Sequence, residues 1–167
     1  MIRSISKFTS VWFVVALARS EPGDAVVAVA LAATELRANS VNHFSFGELG
    51  SARRPPYPTD ATSMIISVDA VAIAAFHVSM GWTLPERIVD LLIEFSILNN
   101  RSDASPSAHF SAALLAFGLP PVAALRRASG ASDLTDKVNA TAALFERMAS
   151  RIDMPRALLR RVIQFTT

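Results

Sequence analysis

The 167-residue chain has no cysteine, only six glycines, one tyrosine and two lysines, Lys7 and Lys137. Without cysteine there can be no disulfide staple, no thiolate nucleophile, no Cys-ligated zinc and no iron–sulfur cluster. Scarce glycine, beside an apolar set dominated by Ala, Val, Leu and Ile, predicts helices rather than a turn-rich β-sandwich. The three histidines, His43, His77 and His109, share no metal-ligand spacing. Serine is plentiful, but no G-x-S-x-G elbow is present. Gly47-Glu48-Leu49-Gly50 lacks the preceding strand and following Lys-Ser/Thr of a phosphate loop. The sequence therefore leans away from an enzyme and calls for no cofactor and no metal.

What is present is apolar. Residues of the AVILMFWYC set make up 51% of the chain and charged residues 18%. A chain of this length suits one domain, with a core large enough to need no covalent or metal staple. The balance of basic residues, almost all arginine, is read as coding bias before phosphate recognition. Net charge is +2, but it is unevenly spread. Residues 1–100 sum to −2 and residues 101–167 to +4, so the two parts are of opposite sign.

The first twenty residues support two readings. Arg3 and Lys7 precede the apolar run Val11 to Ala18, and Ala16-Leu17-Ala18 has the form of a signal-peptidase site. The same run also suits a first core helix. The predicted organisation is thus an N-terminal apolar helix or targeting segment over 1–20 and a helical domain over 21–167. The compartment follows that choice: cytoplasmic for a core helix, exported or organellar for a targeting segment. The longest uncharged run, Ala104 to Leu125, is interrupted by three prolines, so no transmembrane span is expected.

Helix punctuation is frequent. Ser20-Glu21-Pro22 offers a start before the run Ala25 to Leu36, apolar nearly all round and expected to be a central helix. Residues 40–58 carry two glycines and three prolines and read as an irregular loop. A helix is predicted from Thr59 or Asp60 to about Met80, closed by Gly81. It absorbs Met64 to Val68, the only β-branched cluster that suggests a strand. Thr83 and Glu86 have capping-box spacing ahead of a helix to Leu98, with Ile88, Leu91, Leu92 and Phe95 on one side. Further helices are expected from Ser105-Pro106 to Gly118, from Pro120-Pro121 to Ala128, from Ser132 or Asp133 to Ile152, and from Pro155 to Phe165. The fold class that follows is all-α: a compact single-domain bundle of about six to eight helices.

Charge ladders carry the functional expectation. On the predicted helix 83–98, Glu86, Asp90 and Glu94 fall at i, i+4 and i+8, one acidic stripe. Arg147 with Arg151, and Arg156 with Arg160 beside Arg161, make basic counterparts. Opposed stripes add little affinity but fix register and partner choice. A mean hydropathy of +0.37 also suggests that an apolar helix face is covered by another chain. The leading expectation is a non-enzymatic structural or interaction protein, a helical subunit of a homo-oligomer or larger assembly. Its contact residues would be Glu86, Asp90, Glu94, Arg147, Arg151, Arg156, Arg160 and Arg161, and Asp90→Arg would weaken self-association.

Two alternatives stand beside it. The basic C-terminal third could engage nucleic acid, binding that would fall steeply with salt. Residues 111–130 have helix-turn-helix-like spacing, but the second helix would open Pro-Pro-Val-Ala-Ala and offer no side chain to read base edges. The other alternative is a helical pocket for an apolar ligand or cofactor, lined by Phe76, His77 and Trp82. His43, beside Phe44, Phe46 and Glu48, marks a further place to seek a ligand.

Overall fold

The computed structural model describes residues 11–19, 28–35, 40–99, 106–122 and 131–153. Its centre is a mixed five-stranded sheet, so the all-α bundle expected from the sequence gives way to an α/β fold. The strands are β1 (Val11–Arg19), β2 (Ala28–Glu35), β3 (Asn42–Ser45), β4 (Ser63–Ser67) and β5 (Ile88–Asp90). The helices are α1 (Phe46–Gly50), α2 (Ala70–Ser79), α3 (Leu91–Asn99), α4 (Pro106–Ala116) and α5 (Ala131–Met148). Across the sheet the order is β3-β2-β1-β4-β5. The first three strands form an antiparallel meander, with Val15 opposite Ala33 and Ala33 opposite Asn42. β4 and β5 then add parallel to β1, with Val14 beside Ile66 and Ile66 beside Val89. The β4–α2–β5 unit is the crossover that a parallel pair requires.

The stretches read as helical contain the strands β1, β2, β4 and β5, and for β1 and β4 the cause is plain. A strand with both faces buried reads as a continuous apolar run, without the alternation that marks a half-exposed strand. In β1, Val14 and Ala16 enter one core while Val15 and Leu17 enter the other. In β4, Met64 and Ile66 point one way and Ile65 the other, and all five residues are buried. The run 25–36 contains β2. The β-branched cluster at 64–68 was thus a true strand signal, and its missing partners lay in the runs assigned to helices. The segment 1–20 contributes the middle strand, so its boundary with the remainder falls between two paired strands.

Helices cover both faces. The core on one side joins Val14, Met64, Ile66 and Val89 to Phe95 of α3, Phe110 and Leu114 of α4, and Leu134, Val138 and Leu144 of α5. On the other side, Val15, Leu17, Ile65 and Ile88 meet Leu49 of α1, Ile73 and Phe76 of α2, Tyr57 and Trp82. α5 is amphipathic in the ordinary way: Leu134, Val138, Thr141, Phe145 and Met148 are buried, while Asp136, Asn139, Glu146 and Arg147 are exposed.

Where helices were correctly placed, local chemistry was decisive. α4 begins at Pro106, and Gly118 beyond its end has φ +69°, a left-handed turn suited to glycine. Gly81, φ +67°, does the same after α2. The capping box forms elsewhere than at Thr83–Glu86. It lies at the start of α1, where Ser45 Oγ accepts from the Glu48 N–H and the Ser45 N–H donates to Glu48 Oε2 at 2.7 Å. The predicted helix 120–128 falls mostly, and 155–165 wholly, outside the described residues.

Candidate functional site

α2 is the element through which the polar chemistry of one layer is organised. At its amino end, β4 runs out through Ser67 and Val68 into Asp69. The Asp69 carboxylate accepts from the Ala72 N–H at 3.0 Å and so caps the helix, while Ser67 Oγ accepts from the Asp69 N–H. Asp90, at the end of the neighbouring parallel strand, completes the arrangement. Its Oδ2 accepts from Ala70 N–H at 2.8 Å, and its Oδ1 accepts from Leu92 N–H at 2.9 Å and Ile93 N–H at 3.3 Å. One carboxylate thus serves the first turns of both α2 and α3. Burial pushes its carboxyl above the ordinary range, the three N–H donors oppose that rise, and the nearby Asp69 carboxylate adds to it.

At the carboxyl end of α2, His77 is fully enclosed. Its Nε2 lies 2.7 Å from Tyr57 Oη and its Nδ1 2.7 Å from the Thr83 carbonyl oxygen. A carbonyl can only accept, so Nδ1 carries the proton and Nε2 accepts from the tyrosine hydroxyl. Burial holds the imidazole below its ordinary pKa, partly offset by the Thr83 carbonyl, and pushes the Tyr57 phenol upward. Trp82 donates its indole N–H to the Ala52 carbonyl at 2.9 Å and sets its ring edge-on to Phe76 and His77, with centroids 5.5 Å away in each case. The residues named from the sequence as a ligand lining therefore pack on one another, and the polar groups of His77 and Trp82 bind the 52–57 and 82–83 segments onto α2.

The outward face of α2 is different in kind. The helix reads Ala-Val-Ala-Ile-Ala-Ala-Phe-His-Val-Ser, with no ionisable side chain apart from the enclosed histidine. Val71, Ala75 and Val78 recur at i, i+4 and i+7, one stripe along the helix. Val71 is 55% and Val78 68% exposed, and Ala75 is half-buried. A helix apolar on all sides is normally covered on all sides. Among the described residues three other large apolar side chains stand exposed, Ile97 and Leu98 on α3 and Leu115 on α4, in the opposite layer.

The acidic residues expected to form one stripe are dispersed. Glu86, Asp90 and Glu94 do not share a helix, because β5 intervenes. Glu86 is exposed and donates its backbone N–H to the Thr59 carbonyl, Asp90 is the double cap, and Glu94 is buried within α3. Asp90→Arg would consequently uncap two helices, and a change in assembly would not report on an interface. Arg147 and Arg151 are exposed near the end of α5, and the Arg151 guanidinium lies 5.3 Å from the Phe117 ring centroid. Arg156, Arg160 and Arg161 lie outside the described residues. His43 Nε2 sits 2.8 Å from Thr135 Oγ1, tying the outer strand β3 to α5. Among the described residues no His, Asp or Glu cluster could hold a metal ion, and no helix is long and apolar enough to cross a membrane. The signal for the α2 face was in the sequence, as the near-continuous apolar stretch 70–78. It was obscured by reading that stretch as the middle of a longer buried helix.

Comparison with known proteins returns no match to a family model, a curated protein or a solved structure.

Proposed function

We propose that this chain is a non-enzymatic interaction protein, a subunit of a homo-oligomer or larger protein assembly, and that it makes its contact through the layer containing α2. The outer face of α2 carries this reading. Two valines more than half exposed, on a helix without an outward charge, leave apolar surface that association would remove from water. The polar groups at both ends of the helix are engaged in holding it in place, through Asp69 and Asp90 at one end and Tyr57, His77 and Thr83 at the other. Such fixing suits a preformed contact surface, since rigid elements lose little freedom on association.

The test is solution mass by light scattering coupled to chromatography, at low and at high salt. A defined multimer is the expected result. A monomer at both salts over the accessible concentration range would overturn the homo-oligomeric form of the proposal.

A further inference from the structure

We infer that residues 52–59 form a strap latched to the carboxyl end of α2 by the Tyr57–His77 pair, and that proton uptake at His77 releases the strap while the sheet stays folded. The device is independent of whether the chain assembles.

The composition of the strap makes it depend on side chains. Pro55, Pro56 and Pro58 have no N–H to donate, so this stretch is unsuited to a backbone ladder. Its two ends are tied to the segment that follows α2. The Trp82 indole N–H donates to the Ala52 carbonyl at 2.9 Å, and the Glu86 N–H donates to the Thr59 carbonyl at 2.8 Å. Between those ties Tyr57 holds the strap down. Its ring is buried in the core that includes Leu49, Ile73 and Phe76, while Arg53, Arg54, Pro56 and Pro58 around it are exposed.

The latch works in one protonation state. The Thr83 carbonyl fixes the proton on Nδ1, so Nε2 is the acceptor and the Tyr57 hydroxyl its donor. A second proton turns Nε2 into a donor that faces another donor at 2.7 Å. The ring is fully enclosed, with Trp82 edge-on against it, so the new charge meets no water while the strap is down.

The charged side chains of the surrounding segments offer no counter-ion. Glu48 of α1, Arg53, Arg54 and Asp60 of the segment before β4, and Glu86 after α2 are all exposed, and Arg87 is half-buried. Asp69 and Asp90 stand at the far end of α2. Burial lowers the proton affinity of the ring and the Thr83 carbonyl raises it, with no charged group among the causes. Lifting Tyr57 gives the imidazolium access to water and breaks no strand ladder.

The sign follows from the lowered value in the latched form. Below about pH 6.5 the released ring binds the proton and the latched ring does not. The opening constant therefore rises by up to about ten-fold per pH unit as pH falls, until the latched ring also titrates.

In a Trp12→Phe background Trp82 is the only tryptophan. Acrylamide quenching of its fluorescence should rise between pH 7.5 and 5 while the far-ultraviolet circular dichroism spectrum is unchanged. His77→Gln should remove that rise. Tyr57→Phe takes away the hydroxyl, so quenching should be greater already at pH 7.5 and its rise on acidification smaller. The strap is overturned if Trp82 stays shielded to pH 5, if quenching and dichroism change in one step, or if the rise persists in His77→Gln. Should His77→Gln fail to fold, Tyr57→Phe decides: a rise equal to that of the parent overturns the latch.

Discussion

α2 and α5 lie against opposite faces of the same sheet, and they part company on the sides turned away from it. Inside, they are alike: Ile73 and Phe76 fill one core as Leu134, Val138 and Leu144 fill the other. Outside, α5 shows Asp136, Asn139, Glu146 and Arg147 to water, whereas α2 shows Val71 and Val78. The inner faces answer to the fold and must be apolar on both helices. The outer faces answer to whatever surrounds the molecule, so their difference is where a functional signal can be read.

Disturbing the inner faces should have equal and large effects. Phe76→Ala in α2 and Phe145→Ala in α5 each remove a buried aromatic ring, at an expected cost of about 3–5 kcal/mol in urea denaturation. A markedly smaller loss for Phe76→Ala would mean that the α2 layer contributes less to the folded state than its burial implies.

The anchoring of α2 comes next. Asp90→Ala removes three carboxylate hydrogen bonds and leaves the first turns of α2 and α3 short of an acceptor. With each cap worth about 1–2 kcal/mol, a loss of about 2–4 kcal/mol is expected.

A smaller effect is conditional on pH. His77 is held neutral in the fold, below its ordinary value, so the unfolded chain binds the proton more readily. Stability contributed by the neutral ring is present above about pH 6.5 and is lost as pH falls below that value, with a slope of at most about 1.4 kcal/mol per unit. His77→Gln should flatten that slope in urea titrations repeated between pH 7.5 and 5. An unaltered slope would place the titrating group elsewhere. α5 has no such enclosed histidine among its residues, so substitutions there should leave the profile as it is.

The smallest effect sharpens the contrast on the outside. Glu146→Ala on the exposed face of α5 should shift stability by no more than about 0.5 kcal/mol and leave solution mass unchanged. A change in mass on that substitution would give α5 an interface of its own.

Legibility in the sequence followed the range of the interactions involved. Caps and stops are local, so the starts near Pro106 and Ala131 and the glycine turns at Gly81 and Gly118 could be found from neighbouring residues. The sheet is not local. β1 lies beside β4, some fifty residues away, and burial on both faces erased the alternation that would have marked either as a strand. Ile88, Leu91, Leu92 and Phe95 matched helical spacing while straddling the end of β5 and the first turns of α3. The acidic stripe was an artefact of that false helix. Asp90 carried importance of another sort, because its acceptors are spent on backbone donors from two helices, one of them twenty residues earlier in the chain. The apolar stretch 70–78 was visible throughout, but only the sheet reveals which of its sides faces inward.

The Asp90 carboxylate also bears on how the molecule comes apart. The chain passes from α2 to α3 through the turn at Gly81, the 82–87 segment and β5. The link from Asp90 to Ala70 closes that path into a ring. Fraying of either helix from its first turn frees one oxygen of the carboxylate whose other oxygen serves the other helix. Residues 69–93 are therefore expected to open as one cooperative unit, the amides of Ala70, Leu92 and Ile93 gaining and losing protection together in hydrogen exchange.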